Sequence, residues 1–209
     1  MWTQRIETAL VISAHTDDAE LGAGATITRL AERGTAVHYL ALSTGHPSRG
    51  ATEAECRAAL ARLGVRQPER VTVWDYPTRD FDAHRQSILD FLIAAGRVAG
   101  GPHDVVFCPS SYDRHQDHVV VRAEVDRAFP RTTVLGYELP PTQGAFAPAL
   151  WWTVDRRHMI AKTEALACYE SQAAMPYTRG VLVWALAAVR GMQAGCRFAE
   201  AFEVVRWMA

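Results

Sequence analysis

The chain has 209 residues, 49% hydrophobic and 22% charged, an ordinary globular composition with enough apolar material for a substantial core. Its 22 Lys and Arg nearly balance its 23 Asp and Glu, leaving a formal net charge of −1. That balance excludes the strongly basic surface of a general nucleic-acid binder and gives no reason to expect docking on acidic membranes. The length predicts a single domain over residues 1–209.

In chain order, the apolar run Ala9–Ala14 reads as a buried strand, and Ala19–Arg33 as a helix ended by Gly34. Val37–Leu42 is a second strand, followed by a Ser-, Gly- and Pro-rich loop at 43–50 and an Ala-rich helix at 52–63. Val71–Trp74 is a third strand and Asp82–Val98 a third helix. The strand beginning at Val105 leads through His115–His118 into a helix ending near Phe129. Further strands are expected at Thr133–Leu139, Leu150–Val154 and Phe202–Trp207, with helices at Asp155–Tyr169 and Thr178–Met192. Short apolar strands alternating with helices predict an α/β protein: a Rossmann-like, three-layer α/β/α fold with a mostly parallel sheet.

Cys56, Cys108, Cys168 and Cys196 are scattered, with no C-x-x-C pair, so reduced thiols and a cytoplasmic location are expected. The N-terminus lacks the pattern of a secretory signal, and no integral membrane segment is expected. The apolar run Val181–Val189 is about half of the roughly 20 residues needed to span a bilayer. It reads as a buried helix or as a subunit contact, which leaves room for a homo-oligomer.

The strand order sets the functional expectation. In a doubly wound sheet of order 3-2-1-4-5, strands one and four are neighbours, and a crevice opens at their C-terminal ends. His15-Thr16-Asp17-Asp18 follows strand one and His115-Gln116-Asp117-His118 follows strand four, so residues a hundred apart meet there. Either cluster alone could be a helix cap or a solvated loop. Together at the switch point they predict an active site. The glycines of Leu21-Gly22-Ala23-Gly24-Ala25 lie within a helix pattern and lack the third glycine of a dinucleotide fingerprint, so they are read as a close-packing surface.

Catalytic zinc takes three His or carboxylate ligands and keeps a position for water. His15, Asp18 and His118 supply such a set, which would also suit Fe2+ or Co2+. Asp17 is then the candidate general base. His115 can stabilise an oxyanion or, if cationic, protonate a leaving amine, with Asp117 orienting it. Candidate substrate-binding residues at the rim are Arg49, Arg79, Asp80, Tyr112, Arg114 and Glu138, with Asp113 beside them; Trp151 and Trp152 are candidates for stacking on a substrate ring.

Ala14-His15-Thr16-Asp17-Asp18, with Gly22 and Gly24 beyond it, resembles the A-H-P-D-D hallmark of the PIG-L/LmbE-like deacetylases, with Thr16 in place of proline. His115-Gln116-Asp117-His118 resembles their H-x-D-H motif, and Lys162-x-x-Ala165-Leu166-x-x-Tyr169-x-Ser171-Gln172 a weaker late one. The resemblance spans about residues 8 to 175. It implies zinc on His15, Asp18 and His118, Asp17 as base, His115 as electrophilic or acid partner supported by Asp117, and an N-acylated sugar as small-molecule substrate. The rival expectations are hydrolysis of a non-sugar amide or thiol conjugate, and a non-catalytic metal- or ligand-binding protein.

Overall fold

The computed structural model describes residues 5–45, 53–98, 102–176 and 180–208. Five parallel strands, β1 (Thr8–His15), β2 (Ala36–Ser43), β3 (Val71–Val73), β4 (Val105–Pro109) and β5 (Thr133–Tyr137), form most of the sheet. β6 (Leu150–Thr153) and β7 (Ala199–Arg206) extend it in antiparallel fashion, giving the order β3-β2-β1-β4-β5-β7-β6. The 3-2-1-4-5 core is therefore as expected. The last strand of the chain inserts between β5 and β6.

The pleat divides each central strand between two cores. Ala9 and Val11 of β1, with Val105 and Phe107 of β4, face α1 (Asp18–Glu32), α2 (Glu53–Arg62) and α5 (Arg156–Leu166). Leu10, Ile12, Val106 and Cys108 face α3 (Arg85–Val98) and α4 (Gln116–Ala128). Strands buried on both faces need apolar residues at every position, which is why β1 and β4 read as unbroken apolar runs. The run from Val181 belongs to α6 (Gly180–Gln193), which lays Val183 and Ala187 on α1 and α5 and leaves Val181 and Leu182 exposed. Among the described residues no helix is long and apolar enough to cross a membrane.

Two details seat α1 over the switch point. A Cβ at Gly22 would come within 2.5 Å of the Tyr137 ring on β5, so only glycine permits that approach. From β7, Glu200 accepts hydrogen bonds from the Ala25 and Thr26 N–H groups and pairs with Lys162 Nζ at 2.6 Å. The small residues of α1 therefore serve packing, as their place within a helix pattern implied.

Candidate active site

The end of β1 is shaped by its own polar side chains. Thr16 N–H donates to the Ser43 carbonyl at the end of β2, and Ser13 Oγ accepts from Ala19 N–H. Asp17 is then forced into the left-handed region, with φ of 90°. A non-glycine residue there carries about 1–3 kcal/mol of strain, sustained by the surrounding bonds. The turn aims Asp17 at the cavity and brings the Asp18 carboxylate under its own loop, where Oδ2 accepts from His15 N–H at 2.8 Å. Asp17 is the N-cap residue of α1, but its side chain makes no capping hydrogen bond.

At the end of β4, His115 is the N-cap of α4, and its Nδ1 accepts the Asp117 N–H at 3.2 Å. One turn on, His118 faces β1. The result is a close triangle of donor atoms from both loops. Asp18 Oδ2 lies 3.2 Å from His118 Nε2 and 3.3 Å from His15 Nδ1, and the two nitrogens are 3.3 Å apart. His115 stacks on His118 with ring centroids 4.5 Å apart. Nitrogens of His15, His115 and His118 all lie within 4.8 Å of one another, so three histidines could also hold a metal ion. The triangle containing Asp18 is the tighter set.

Each histidine of the triangle is held from behind by a carboxylate. His118 Nδ1 bonds Asp113 Oδ2 at 2.8 Å, and His15 Nε2 bonds Asp117 Oδ2 at 2.9 Å. Such partners fix which ring nitrogen faces the site. The expected pairing of Asp117 with His115 is therefore corrected. Only the Asp117 backbone reaches His115, and its carboxylate crosses to the β1 loop. Asp113, expected at the rim, is instead a buried junction that also accepts from His115 N–H at 2.8 Å and from Thr142 Oγ1 at 2.7 Å.

Protonation follows these contacts. Burial alone would depress His15, but Asp117 and Asp18 outweigh it and raise its pKa to about 9. Burial likewise opposes charge on His118, yet Asp18 and Asp113 raise it to about 10. Against the opposing effect of burial, the two histidines hold Asp18 well below the usual carboxylate range. His115 moves the other way, lowered first by burial and then by His118 and His15.

The cluster lies in a cavity of about 530 Å3, whose walls include Thr44, Thr78 and Arg79 on one side and Leu21, Leu139, Pro141 and Thr142 on the other. Of the expected site residues, His15, Asp17, Asp18, Arg79, His115 and His118 line it. Arg79 is itself in the left-handed region, with φ of 69°, and its N–H donates to Asp117 Oδ2 at 2.8 Å. Four rim expectations are corrected. Asp80 pairs with His84, and Tyr112 stands edge-on to Phe146. The Arg114 guanidinium lies against Gly144, and Glu138 forms a bidentate pair with Arg190. None of the four lines the cavity. Trp152 packs near Phe107 and Phe202, and Trp151 Nε1 faces Gln193, so neither offers a face to it. Arg49 lies outside the described residues. Sequence reasoning missed the part played by Thr142, which no local pattern marks. It misplaced Asp113, whose signal was a carboxylate five residues before a candidate ligand on the same strand-to-helix turn.

Residues 10–129 match the PIG-L family, described as GlcNAc-PI de-N-acetylase. The uncharacterized deacetylase YaiS of Escherichia coli (strain K12) is 33% identical over 172 residues, 78% of this chain and 90% of the relative. Among solved structures, N,N'-diacetylchitobiose deacetylase from Pyrococcus horikoshii aligns with a TM-score of 0.74 at 18% identity, over 96% of this chain and 84% of that one. GalB, the 4-carboxy-2-hydroxymuconate hydratase of Pseudomonas putida KT2440, aligns with a TM-score of 0.72 at 20% identity, over 98% of both chains. Since the same fold carries a deacetylase and a hydratase, the fold alone does not name a reaction. The sequence places the chain in a family: it belongs to the PIG-L family of deacetylases.

Proposed function

We propose that this protein is a metal-dependent hydrolase that removes an N-acyl group from an amino sugar or a sugar-containing metabolite. The observation that carries the reading is the triangle of His15 Nδ1, Asp18 Oδ2 and His118 Nε2, with edges of 3.2–3.3 Å. Zinc binds nitrogen and oxygen donors at about 2.0–2.2 Å in a tetrahedron, whose edges are then about 3.3–3.6 Å. The donor spacing therefore suits Zn2+ with at most a few tenths of an ångström of spreading, and Fe2+ or Co2+ would accept the same set. Bound there, the ion supplies Lewis acidity, polarising the acyl carbonyl and bringing the pKa of a water toward 7.

The chain's own residues do the rest. Asp17, held at the cavity wall by its turn, takes a proton from the attacking water as the C–O bond forms. His115 has Nδ1 engaged by the Asp117 N–H, so its neutral ring carries the proton on Nε2 and donates it as a hydrogen bond to the developing oxyanion. The lowered pKa of His115 favours that neutral donor over the cationic acid. The C–N bond then breaks, and the proton held by Asp17 passes to the leaving nitrogen. Products are a carboxylate and an amine. Arg79 and the threonines near it are assigned to sugar hydroxyls. The family's description and the N,N'-diacetylchitobiose deacetylase favour an N-acetylated sugar. The four cysteines are free, which suits a reducing cytoplasm.

The test is acetate release from a panel of N-acetylated sugars by the metal-loaded protein, with Asp17→Asn as control. Metal-dependent release that the control loses supports the reading. Full rate in Asp17→Asn with metal retained would remove Asp17 from the role of base.

A further inference from the structure

The cavity is not alike at its two ends. Sheet order places the walls: Thr44 follows β2, and Thr78 and Arg79 follow β3, on one side of the cluster. Leu139, Pro141 and Thr142 follow β5, on the other. Leu21, in the first turns of α1, joins the second wall, since it packs toward Val183 and Ala187 of α6, the helix that lies against β7 next to β5. The first wall offers the exposed Arg79 guanidinium and two hydroxyls that already have partners, Thr44 Oγ1 with Asp75 Oδ1 at 3.4 Å and Thr78 Oγ1 with Ser43 Oγ at 3.2 Å. The second offers two leucine side chains and a proline ring, while Gln172 and Met175, beyond α5, complete the lining outside these two walls. Its one hydroxyl, on Thr142, has its proton committed to Asp113 at 2.7 Å. The reacting groups stand between the two walls.

An N-acyl amino sugar has the same asymmetry. Its scissile amide separates a polyol ring, rich in hydrogen-bonding groups, from an acyl group that is apolar beyond its carbonyl. A polyol against the β5 wall would leave hydroxyls unpaired, and an acyl group against Arg79 would desolvate a charge. The orientation that suits both walls turns the ring toward Arg79 and the acyl group toward Leu139 and Pro141. A volume of about 530 Å3 also falls within the range of sites that enclose ligands of drug size, leaving room beside the ring.

We propose that the wall formed by Leu21, Leu139 and Pro141 is an acyl-group site, and that the substrate class is amino sugars bearing acyl chains longer than acetyl. This rests on the deacylation reading above and departs from the acetyl group of the relatives in taking a longer chain. The reaction is R–CO–NH–R′ + H2O → R–COO⁻ + R′–NH3⁺, with R on the β5 side and R′ toward Arg79.

The experiment is a chain-length series: N-acetyl-, N-butanoyl-, N-hexanoyl- and N-octanoylglucosamine with the metal-loaded protein. The expected result is a rise in kcat/KM of about two- to fourfold per methylene until the wall is covered. A smaller slope is expected in Leu21→Asn and in Pro141→Ser, read as the ratio of hexanoyl to acetyl substrate. A flat or falling series in the wild type overturns the proposal. If no member is hydrolysed, the deacylation reading fails. Calorimetric binding of the free carboxylates then decides the acyl site separately: hexanoate binding several-fold tighter than acetate upholds it, and equal binding overturns it.

Discussion

Asp18 and Glu20 lie two residues apart at the start of α1, the first largely buried at the cavity wall and the second fully buried, and they are driven to opposite states of ionisation. Asp18 faces two imidazoles and is held far below its ordinary pKa against the opposing effect of burial. Glu20 faces two hydroxyls, Tyr39 Oη at 2.6 Å and Tyr169 Oη at 2.5 Å, and burial pushes it up to about 7. Neutral hydroxyls stabilise a carboxylate through hydrogen bonds but supply no opposite charge. Burial thus does not decide the charge of a carboxyl group; the partner does. One helix start holds both a centre ready for a cation and, just behind it, a carboxyl group that keeps its proton until near neutrality.

The sharpest way to break the contrast acts on the residue that precedes Asp18. Asp17 belongs to the centre by position and is proposed as base, not ligand. Asp17→Asn is expected to lower kcat by about 10²–10⁴ while leaving metal content unchanged. Single-turnover rates together with metal analysis check this, and loss of metal in the variant would show that Asp17 helps hold the ion.

The second prediction concerns what the centre holds before metal arrives. With pKa values near 9 and 10, His15 and His118 both carry protons at pH 7, and an incoming ion must displace them. Each displaced proton makes apparent affinity about tenfold greater per unit rise in pH, so two protons give about a hundredfold per unit between pH 7 and 9. Chelator competition at three pH values measures the slope. A slope of tenfold or less would mean that one histidine is already neutral.

Most of this centre could be read before the fold was known, and the reason is geometric. His15, Asp17, Asp18, His115 and His118 stand at the ends of two apolar strands whose adjacency follows from alternating β and α segments. What could not be read is direction. His115 caps α4 by accepting the N–H of Asp117, and that bond turns the Asp117 carboxylate away from His115 toward His15. Only the built helix start shows it. The rim residues failed for a related reason: a loop position places a residue near the mouth but does not choose among its contacts, and Glu138 found Arg190. β7 was legible as a strand, but its seat between β5 and β6 depends on pairings that no local pattern encodes.

The correction at Asp113 yields the third prediction. Its carboxylate fixes His118 and ties the Thr142 wall to it, so Asp113→Asn keeps the shape while weakening the charge-assisted bond. A loss of about 10–100-fold in metal affinity is expected, as for other outer partners of metal-binding histidines. Thr142→Val, which removes one bond and leaves the carboxylate, is expected to lose less. Equal losses would place the effect in loop packing and not in the histidine.

The smallest effect tests the other side of the contrast. Glu20 unfolded has a pKa near 4.5 and folded about 7, so between these values the folded state holds a proton that the unfolded chain has released. Stability must fall as pH rises through that window and level off above it. Glu20→Gln cannot ionise, so its stability lacks this slope. Relative to the wild type, the variant is expected to gain about 2 kcal/mol between pH 5 and pH 8, whatever the fixed cost of placing an amide between two tyrosine hydroxyls. Urea unfolding of both proteins at the two pH values gives the difference of differences, in which the fixed cost and all other titrating groups cancel. A difference that does not change with pH would mean that the tyrosines alone suffice to ionise Glu20, and that two hydroxyls can stand in for the cations that Asp18 requires.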